Sequence, residues 1–226
     1  MSVITALTAQ NGLRVAGIHA PEPEFVVLEL TTVLEGFPIQ AAKTGMLFSA
    51  AIIEAIAPVL AERSYPLVVD PVAVSQSGCP LLEETAVRAL KEHILPGCEL
   101  VTGGSITSLD DQAACGQAIL DLGPRAVLVK GGHRLDPDSV TDCLCERGKD
   151  PVFLPNRKVE TQNNHGTGCT LSAAIATGLG QGLPLIDAVR RAQNYLNRAL
   201  RESYAPGKGC GPVNHAAGLS HAEFRG

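Results

Sequence analysis

The segment Asn163-Asn164-His165-Gly166-Thr167-Gly168-Cys169-Thr170 holds the residue types from which an anion-handling site is built. It runs into Leu171-Ser172-Ala173-Ala174-Ile175-Ala176-Thr177, a stretch of small, helix-compatible residues, so a glycine-rich turn opens a helix. Unbonded N–H groups at a helix start and the positive end of its dipole attract an anion. Glycine lets the backbone approach a phosphate closely and adopt positive φ. Phosphoryl transfer spreads charge over equatorial oxygens, and such a site stabilises that charge. Cys169, at the helix start, is expected to have a lowered thiol pKa, because the same dipole favours the thiolate. It would then stand ready to accept the proton of an attacking hydroxyl. No Gly-Lys-Ser/Thr follows, so this is not a Walker-type loop. The segment also supports a plainer reading, in which Gly166 and Gly168 only permit a tight turn and Cys169 packs inward.

Three further residues belong to the same chemistry if the chain folds as its pattern predicts. Leu67-Val68-Val69 and Ala126 to Val129 are continuous apolar runs, typical of parallel strands buried on both faces. Short strands are also expected at Ile39 to Lys43 and Glu99 to Thr102. Helical patterns fall between them, at Glu24 to Gly36, Ser49 to Ala61, Leu81 to Leu90 and Asp110 to Leu122. In the first, Phe25, Leu28, Val33 and Leu34 are available for one face. In the second, Ser49 is the expected N-cap and Pro58 a possible kink. Val140 to Cys145 and Pro151 to Leu154 read as a hairpin or edge strands, and Thr167 to Gly180 and Ile186 to Ala199 as the last helices. This alternation predicts an α/β fold, a mostly parallel central sheet with helices on both faces, in a single domain. Ligands bind such sheets at the carboxyl ends of the strands, where Asp70, Thr102 and Lys130 fall.

Composition excludes several other classes. The 226 residues are 45% hydrophobic and 18% charged, a globular balance. The formal net charge of -5 and the absence of a basic patch argue against a nucleic-acid surface. Arg190-Arg191 reads as a solvated helix face. No apolar run is long enough to span a membrane, and the first residues lack the basic flank of a signal peptide. The chain therefore reads as cytoplasmic, and its seven cysteines as buried thiols rather than a disulfide framework. Cys143 and Cys145 would share one face of a strand, but no second Cys/His pair completes a zinc site.

Several segments, in order, resemble the hydroxymethylpyrimidine/phosphomethylpyrimidine kinases of thiamine biosynthesis. They are Thr5-Ala6-Leu7-Thr8-Ala9-Gln10-Asn11, Lys43-Thr44-Gly45-Met46-Leu47, Val69-Asp70-Pro71-Val72, Val127-Leu128-Val129-Lys130-Gly131-Gly132-His133, His165 through Ala174, and Gly211-Pro212-Val213-Asn214-His215. Cysteine in the glycine-rich turn is the most specific feature, since most ribokinase-like relatives carry Asp there. The resemblance implies a ribokinase-like fold and two successive ATP-dependent phosphorylations, of the pyrimidine's hydroxymethyl group and then of the monophosphate. It implies that Gln10 bonds the aminopyrimidine edge, that Met46 and Val72 wall the ring, and that Asp70 helps hold Mg²⁺. Lys130 and Thr167 would face ATP, and Gly166, Gly168 and Cys169 would form the anion hole and base. A homo-oligomer is also implied. Each residue has an ordinary alternative: Gln10 a strand-end cap, Met46 core filler, Asp70 half of a turn with Pro71, Lys130 a solvated strand end. His133 and His165 read as stabilising turns and His215 as stabilising the C-terminal loop.

Two segments depart from the family pattern. The family's opening strand, glycine-rich loop and helix precede the part that here starts at Ser2. Without them the sheet would lack a strand and one wall of the substrate pocket would open. After Thr102 the family continues Pro-Asn and then a Glu that helps bind Mg²⁺ and nucleotide, whereas this chain runs Gly103-Gly104-Ser105-Ile106. Asp110 and Asp111 do not match that Glu. Two competing readings follow: a pyridoxal or pyridoxine kinase, and a non-catalytic ligand-binding relative.

Overall fold

The computed structural model describes residues 1–73, 78, 80–103, 108–131 and 139–218. A six-stranded sheet has the order β3-β4-β5-β6-β7-β8. Its strands are β3 (Ala42–Thr44), β4 (Leu67–Val69), β5 (Leu100–Gly103), β6 (Ala126–Val129), β7 (Ser139–Glu146) and β8 (Val152–Arg157). Neighbours from β3 to β6 pair in parallel, and β7 and β8 add an antiparallel hairpin. Period-two alternation divides the buried strand residues between two cores. Leu67, Val69 and Val101 pack on one face against α1 (Pro23–Gly36), α2 (Ala50–Ala61) and α3 (Glu84–Ala89). Val68, Leu100 and Leu128 pack on the other against α5 (Thr167–Gly180) and α6 (Leu185–Arg201). On the first face, α4 (Leu109–Leu120) lies against β6 and β7, where Val127, Val129, Cys143 and Cys145 pack with Leu120.

Local signals set most of these elements. Ser49 caps α2, its Oγ accepting from Ile52 N at 3.3 Å, and Pro58 lies inside that helix. Ser108 caps α4 in the same way, accepting from Asp111 N at 3.0 Å. Helix α3 is shorter than its sequence pattern and passes into a single π-helical turn, Leu90–Ile94.

Two expectations are corrected. Helix α1 turns Val26 inward, fully buried, with Val27 and Leu30 beside it. Phe25 and Leu28, expected on the inner face, are more than half exposed. Both sets fit a helical period, and the two-helix packing with α2 selects the Val26 stripe. The N-terminal segment also forms a hairpin that the pattern did not announce, β1 (Leu7–Gln10) against β2 (Val15–His19), with a register shift at Ala9/Gln10. Its turn is an Asx turn in which Asn11 Oδ1 accepts from the amides of Leu13 and Arg14.

Strand β3 is an edge of the sheet. Beside it runs a groove of about 800 Å³ whose lining includes Val3, Val26, Leu30, Ile39, Met46 and Ala176. Thr44 Oγ1, at the end of β3, is buried without a hydrogen-bond partner among the described residues.

Candidate active site

Parallel pairing brings residues from three adjacent strands to one edge of the sheet. Asp70 directly follows β4, Thr102 lies one residue from the end of β5, and Lys130 directly follows β6. Backbone bonds extend the ladder there: Asp70 N donates to Thr44 O at 3.0 Å and Lys130 N to Gly103 O at 3.1 Å. Asp70 is 5% exposed. Its carboxylate accepts from Thr102 Oγ1 at 3.3 Å and from Ser172 Oγ at 3.2 Å, two hydroxyl donors that fix its orientation.

The glycine-rich turn meets this edge. Gly166 caps α5 in the left-handed region, at φ 85° and ψ 7°, where a side chain is disfavoured. Thr170 N returns to Gly166 O at 2.8 Å and closes the first turn. The amides of Gly168 and Cys169 belong to that first turn and so have no intrahelical acceptor, while Thr167 N bonds back to Asn164 O at 3.3 Å. Gly168 lies under the charged groups: a methyl built on it would sit 3.3 Å from Lys130 Nζ and 3.7 and 3.9 Å from the two Asp70 oxygens. The side-chain-free position of Gly168 thus lies beside an ammonium and a carboxylate at a helix N-terminus, which is an arrangement for an anion and its counter-charge.

Cys169 is exposed and shares this cluster, but its expected activation is overturned. Burial of the sulfur raises the thiol above its ordinary value, and the charge and hydrogen bonding of Asp70 raise it further. Lys43 and Lys130 pull the other way without prevailing. The residue keeps accessible surface although its sulfur is turned among neighbours, so dipole attraction at the helix start loses to local desolvation and to a carboxylate from another strand.

Beyond Lys130, a cavity of about 500 Å³ opens, lined by Thr167, Gly168, Asp142, Asn156, Gln193 and others. That volume is in the range of small-molecule sites. Among the described residues, none of the three expected around a pyrimidine lines this cavity. Gln10 is exposed on the β1–β2 hairpin, its Nε2 3.4 Å from His165 Nε2. Met46 lines the groove beside β3, and its carbonyl accepts from Thr5 Oγ1 at 2.5 Å. Val72 is half-buried just past Asp70, its amide bonded to Asp70 O at 2.8 Å.

His165 and His215 lie in the turn and the C-terminal segment that they were expected to stabilise. His165 N donates to Gly211 O and its carbonyl accepts from Val213 N, so it joins the turn to the C-terminal segment. His215 Nε2 lies 3.0 Å from Thr170 Oγ1, and His215 O accepts from Tyr195 Oη at 2.8 Å. His133, Cys79 and the residues at 104–107 lie outside the described residues. Arg190 and Arg191 are exposed on α6. Cys143 and Cys145 are buried with their sulfurs 3.6 Å apart. Sequence reading assigned no role to Lys43, Ser172, Asp142 or Gln193. Lys43 had a usable signal, standing on the parallel strand beside the one that Asp70 follows. Ser172 stands three residues after Cys169, one helical turn along the same face.

Asp70 is a single carboxylate, and among the described residues no group of three or more His, Cys, Asp or Glu could hold a metal. Mg²⁺ commonly keeps several waters and binds through one or two carboxylates plus substrate phosphates. The donor set fits an ion carried by a nucleotide rather than one held in a protein cage. Among the described residues no helix is long and apolar enough to cross a membrane.

Comparison with known proteins places this chain in a family. The family model for phosphomethylpyrimidine kinase matches residues 1–214. The chain is 44% identical over 225 residues to the thiamine biosynthesis bifunctional protein ThiED of Geobacter sulfurreducens, covering 95% of this chain but 46% of that longer relative. It is 42% identical over 227 residues to the hydroxymethylpyrimidine/phosphomethylpyrimidine kinase of Rhizobium meliloti, covering 95% of this chain and 85% of the relative. Among solved structures, an ADP complex of Bacillus subtilis pyridoxal kinase superposes with a TM-score of 0.85 at 25% identity, covering 96% of this chain and 86% of that one. The fold is thus the ribokinase-like one, and the sequence likeness goes further than the fold: the chain belongs to the phosphomethylpyrimidine kinase family.

Proposed function

We propose that the chain transfers the γ-phosphoryl group of ATP to the hydroxymethyl group of 4-amino-5-hydroxymethyl-2-methylpyrimidine, and then phosphorylates the resulting monophosphate. The observation that carries this reading is the placing of Lys130 and Asp70 over Gly168 at the start of α5. The cavity beside Lys130 and Thr167 takes the nucleotide, with its phosphates directed at the first-turn amides. Lys130 acts as a point charge on phosphate oxygens, and Gly168 lets those oxygens reach the backbone. Asp70, oriented by Thr102 and Ser172, would hold Mg²⁺, which when bound supplies charge neutralisation between phosphates. Of the residues expected at the pyrimidine, Gln10 is held beside the glycine-rich turn by the hairpin lying against His165, and Val72 directly follows the segment that carries Asp70, while Met46 faces the separate groove beside β3.

The hydroxyl oxygen forms a bond to the γ-phosphorus as the bond to ADP breaks, and the hydroxyl proton goes to the Cys169 sulfur in the minor fraction of the enzyme that carries it as thiolate. Burial and Asp70 keep that fraction small, and Lys43 and Lys130 oppose them without prevailing. The same reading puts the enzyme in the cytoplasm, consistent with six free thiols among the described cysteines.

The test is ADP release with the pyrimidine, its monophosphate and pyridoxal as alternative acceptors. Turnover should depend on the pyrimidine, with kcat/KM for it well above that for pyridoxal. Cys169→Ala should lower kcat by about 10²- to 10⁴-fold, the range for losing a general base. A preference for pyridoxal would favour the activity named for the Bacillus subtilis structure, and pyrimidine binding without ADP release would favour a non-catalytic module. Either result sinks the proposal.

A further inference from the structure

Beyond the groups that face substrate, the nucleotide end of the site contains a buried carboxylate with no assigned role. Asp142, on β7, is 8% exposed and borders the same cavity as Lys130. Both its oxygens are engaged. Oδ1 accepts from the amide of Gly131 at 2.9 Å, and Oδ2 accepts from Gln193 Nε2 on α6 at 2.8 Å. Gly131 immediately follows Lys130, whose own amide is bonded to Gly103 O. The backbone on either side of the Lys130 Cα is therefore tied, once to the neighbouring parallel strand and once to Asp142.

The fit around Gly131 is close. A methyl built there would collide with Thr141 O and lie 2.9 Å from Gln112 Nε2. Gln112, fully buried, donates through that nitrogen to Thr141 O at 2.9 Å and so holds the β7 side of the junction. Chain reversal makes this possible. β7 runs antiparallel to β6, so its early residues return to the carboxyl end of β6, where Lys130 emerges. A side chain from β7 thereby reaches an edge that is otherwise served by the ends of parallel strands.

We propose that Asp142 is a positioning residue for phosphoryl transfer: with Gln193 it fixes the Gly131 amide and so aims Lys130 at the nucleotide phosphates. The inference rests on the reading of Lys130 as a phosphate contact. Asp142 does not touch substrate in this scheme; it acts through the backbone amide of Gly131. Hydrogen bonds to a charged acceptor are stronger than neutral ones, so a carboxylate at this place holds that amide more firmly than a neutral acceptor could.

The experiment is a double-mutant cycle on nucleotide KM, pyrimidine KM and melting temperature, using Lys130→Ala, Asp142→Ala and Asp142→Asn. Asp142→Ala should raise the nucleotide KM about tenfold or more, the effect of losing a charge-assisted contact, with the pyrimidine KM within twofold. Asp142→Asn should recover most of it, because its amide oxygen still accepts from Gly131 and Gln193 can turn its own amide to pair. Asp142→Ala added to Lys130→Ala should cause little further rise, since the two act through one contact. A folded Asp142→Ala with an unchanged nucleotide KM overturns the proposal, as do additive effects or equal losses on both substrates. If Lys130→Ala itself leaves nucleotide KM unchanged, the phosphate reading of Lys130 fails first and takes this inference with it. Should Asp142→Ala not fold, Gln193→Ala removes one of the two bonds. It should then raise nucleotide KM about threefold, and additivity with Lys130→Ala would overturn the positioning role.

Discussion

Replacing Gly168 by alanine separates the anion site from the fold that carries it. Gly168 is the second residue of α5 and is not among the glycines held at positive φ, so alanine meets no backbone strain there. In a helix alanine is favoured over glycine by roughly 0.5–1 kcal/mol. The closest atom to the new methyl is Lys130 Nζ at 3.3 Å, the far end of a flexible side chain that can withdraw. The fold therefore loses nothing, and the melting temperature should hold or rise slightly. The site loses much more. A phosphate oxygen must come within about 2.9 Å of an amide to bond it, and the methyl occupies the space between the first-turn amides and the lysine. Loss of one preorganised donor costs about 10²–10³ in kcat, and displacement of Lys130 adds to that. Gly166→Ala is the control. Nothing lies within 4 Å of its methyl, but φ is +85°. Alanine there costs about 1–2 kcal/mol, or a melting temperature lower by about 2–8 °C for a chain of this size, with kcat falling less than about tenfold. Coupled measurement of ADP release and thermal scanning of both variants gives the answer. If Gly168→Ala keeps kcat within about threefold of the parent, or loses activity only in proportion to stability, the placing of phosphate over Gly168 is wrong.

Two predictions concern the thiols. Cys169 is raised above its ordinary value by burial and by Asp70, and lowered by Lys43 and Lys130, so its alkylation by iodoacetamide should increase with pH beyond the range of a free cysteine. Asp70→Asn should move that profile to lower pH and Lys43→Met to higher pH, read by mass spectrometry at Cys169; shifts in the same direction would contradict the electrostatic account. The second concerns the core: burial pushes Cys98 up to about 12, and burial with the neighbouring Cys145 pushes Cys143 up to about 12. Between pH 9 and 12 the unfolded chain therefore releases thiol protons that the folded chain keeps. The stabilisation is complete below the ordinary thiol pKa and is lost as pH rises toward 12. The melting temperature should fall across that window, less steeply in Cys98→Ala and Cys143→Ala, and an equal slope in all three proteins would refute the assignment.

Much of the sheet was legible because its strands are buried on both faces. Ala126–Val129 and Thr167–Gly180 coincide with their expected limits, the second bracketed by glycines at both ends. The strand-end rule placed Asp70, Thr102 and Lys130 on one edge before any contact was known. The β1–β2 hairpin escaped because its strands pack on no core: Leu7 and Ala9 are exposed, so no alternation marks them. Only the Asn11-Gly12 pair, a hairpin-turn signal, was there to be read. In α1 two apolar stripes fit the helical period, and only the position of α2 decides between them. The Cys169 thiol was misjudged for a related reason. The helix dipole is a local property and can be read from sequence, whereas Asp70 and the burial around the sulfur arrive through tertiary structure. Asp142 was unreadable because its importance depends on an antiparallel return that brings β7 beside the end of β6.

The bonds that hold the cleft together join parts of the chain that are far apart in order of synthesis. Ser172 reaches Asp70 across 102 positions, His165 meets Gln10 across 155, and Gln193 secures Asp142 across 51. Every strand of the six-stranded sheet is complete by Arg157, yet these clamps come only afterwards: His165 just before α5, Ser172 on α5 and Gln193 on α6. A nascent chain would thus own its sheet before it owned a reaction centre. Contacts of long sequence separation close slowly, and those between the last helices and the strand ends lie outside the sheet's own ladder. Mild denaturant should therefore silence catalysis while the strands are still paired, so that activity reports on the docking of the C-terminal helices rather than on the survival of the fold.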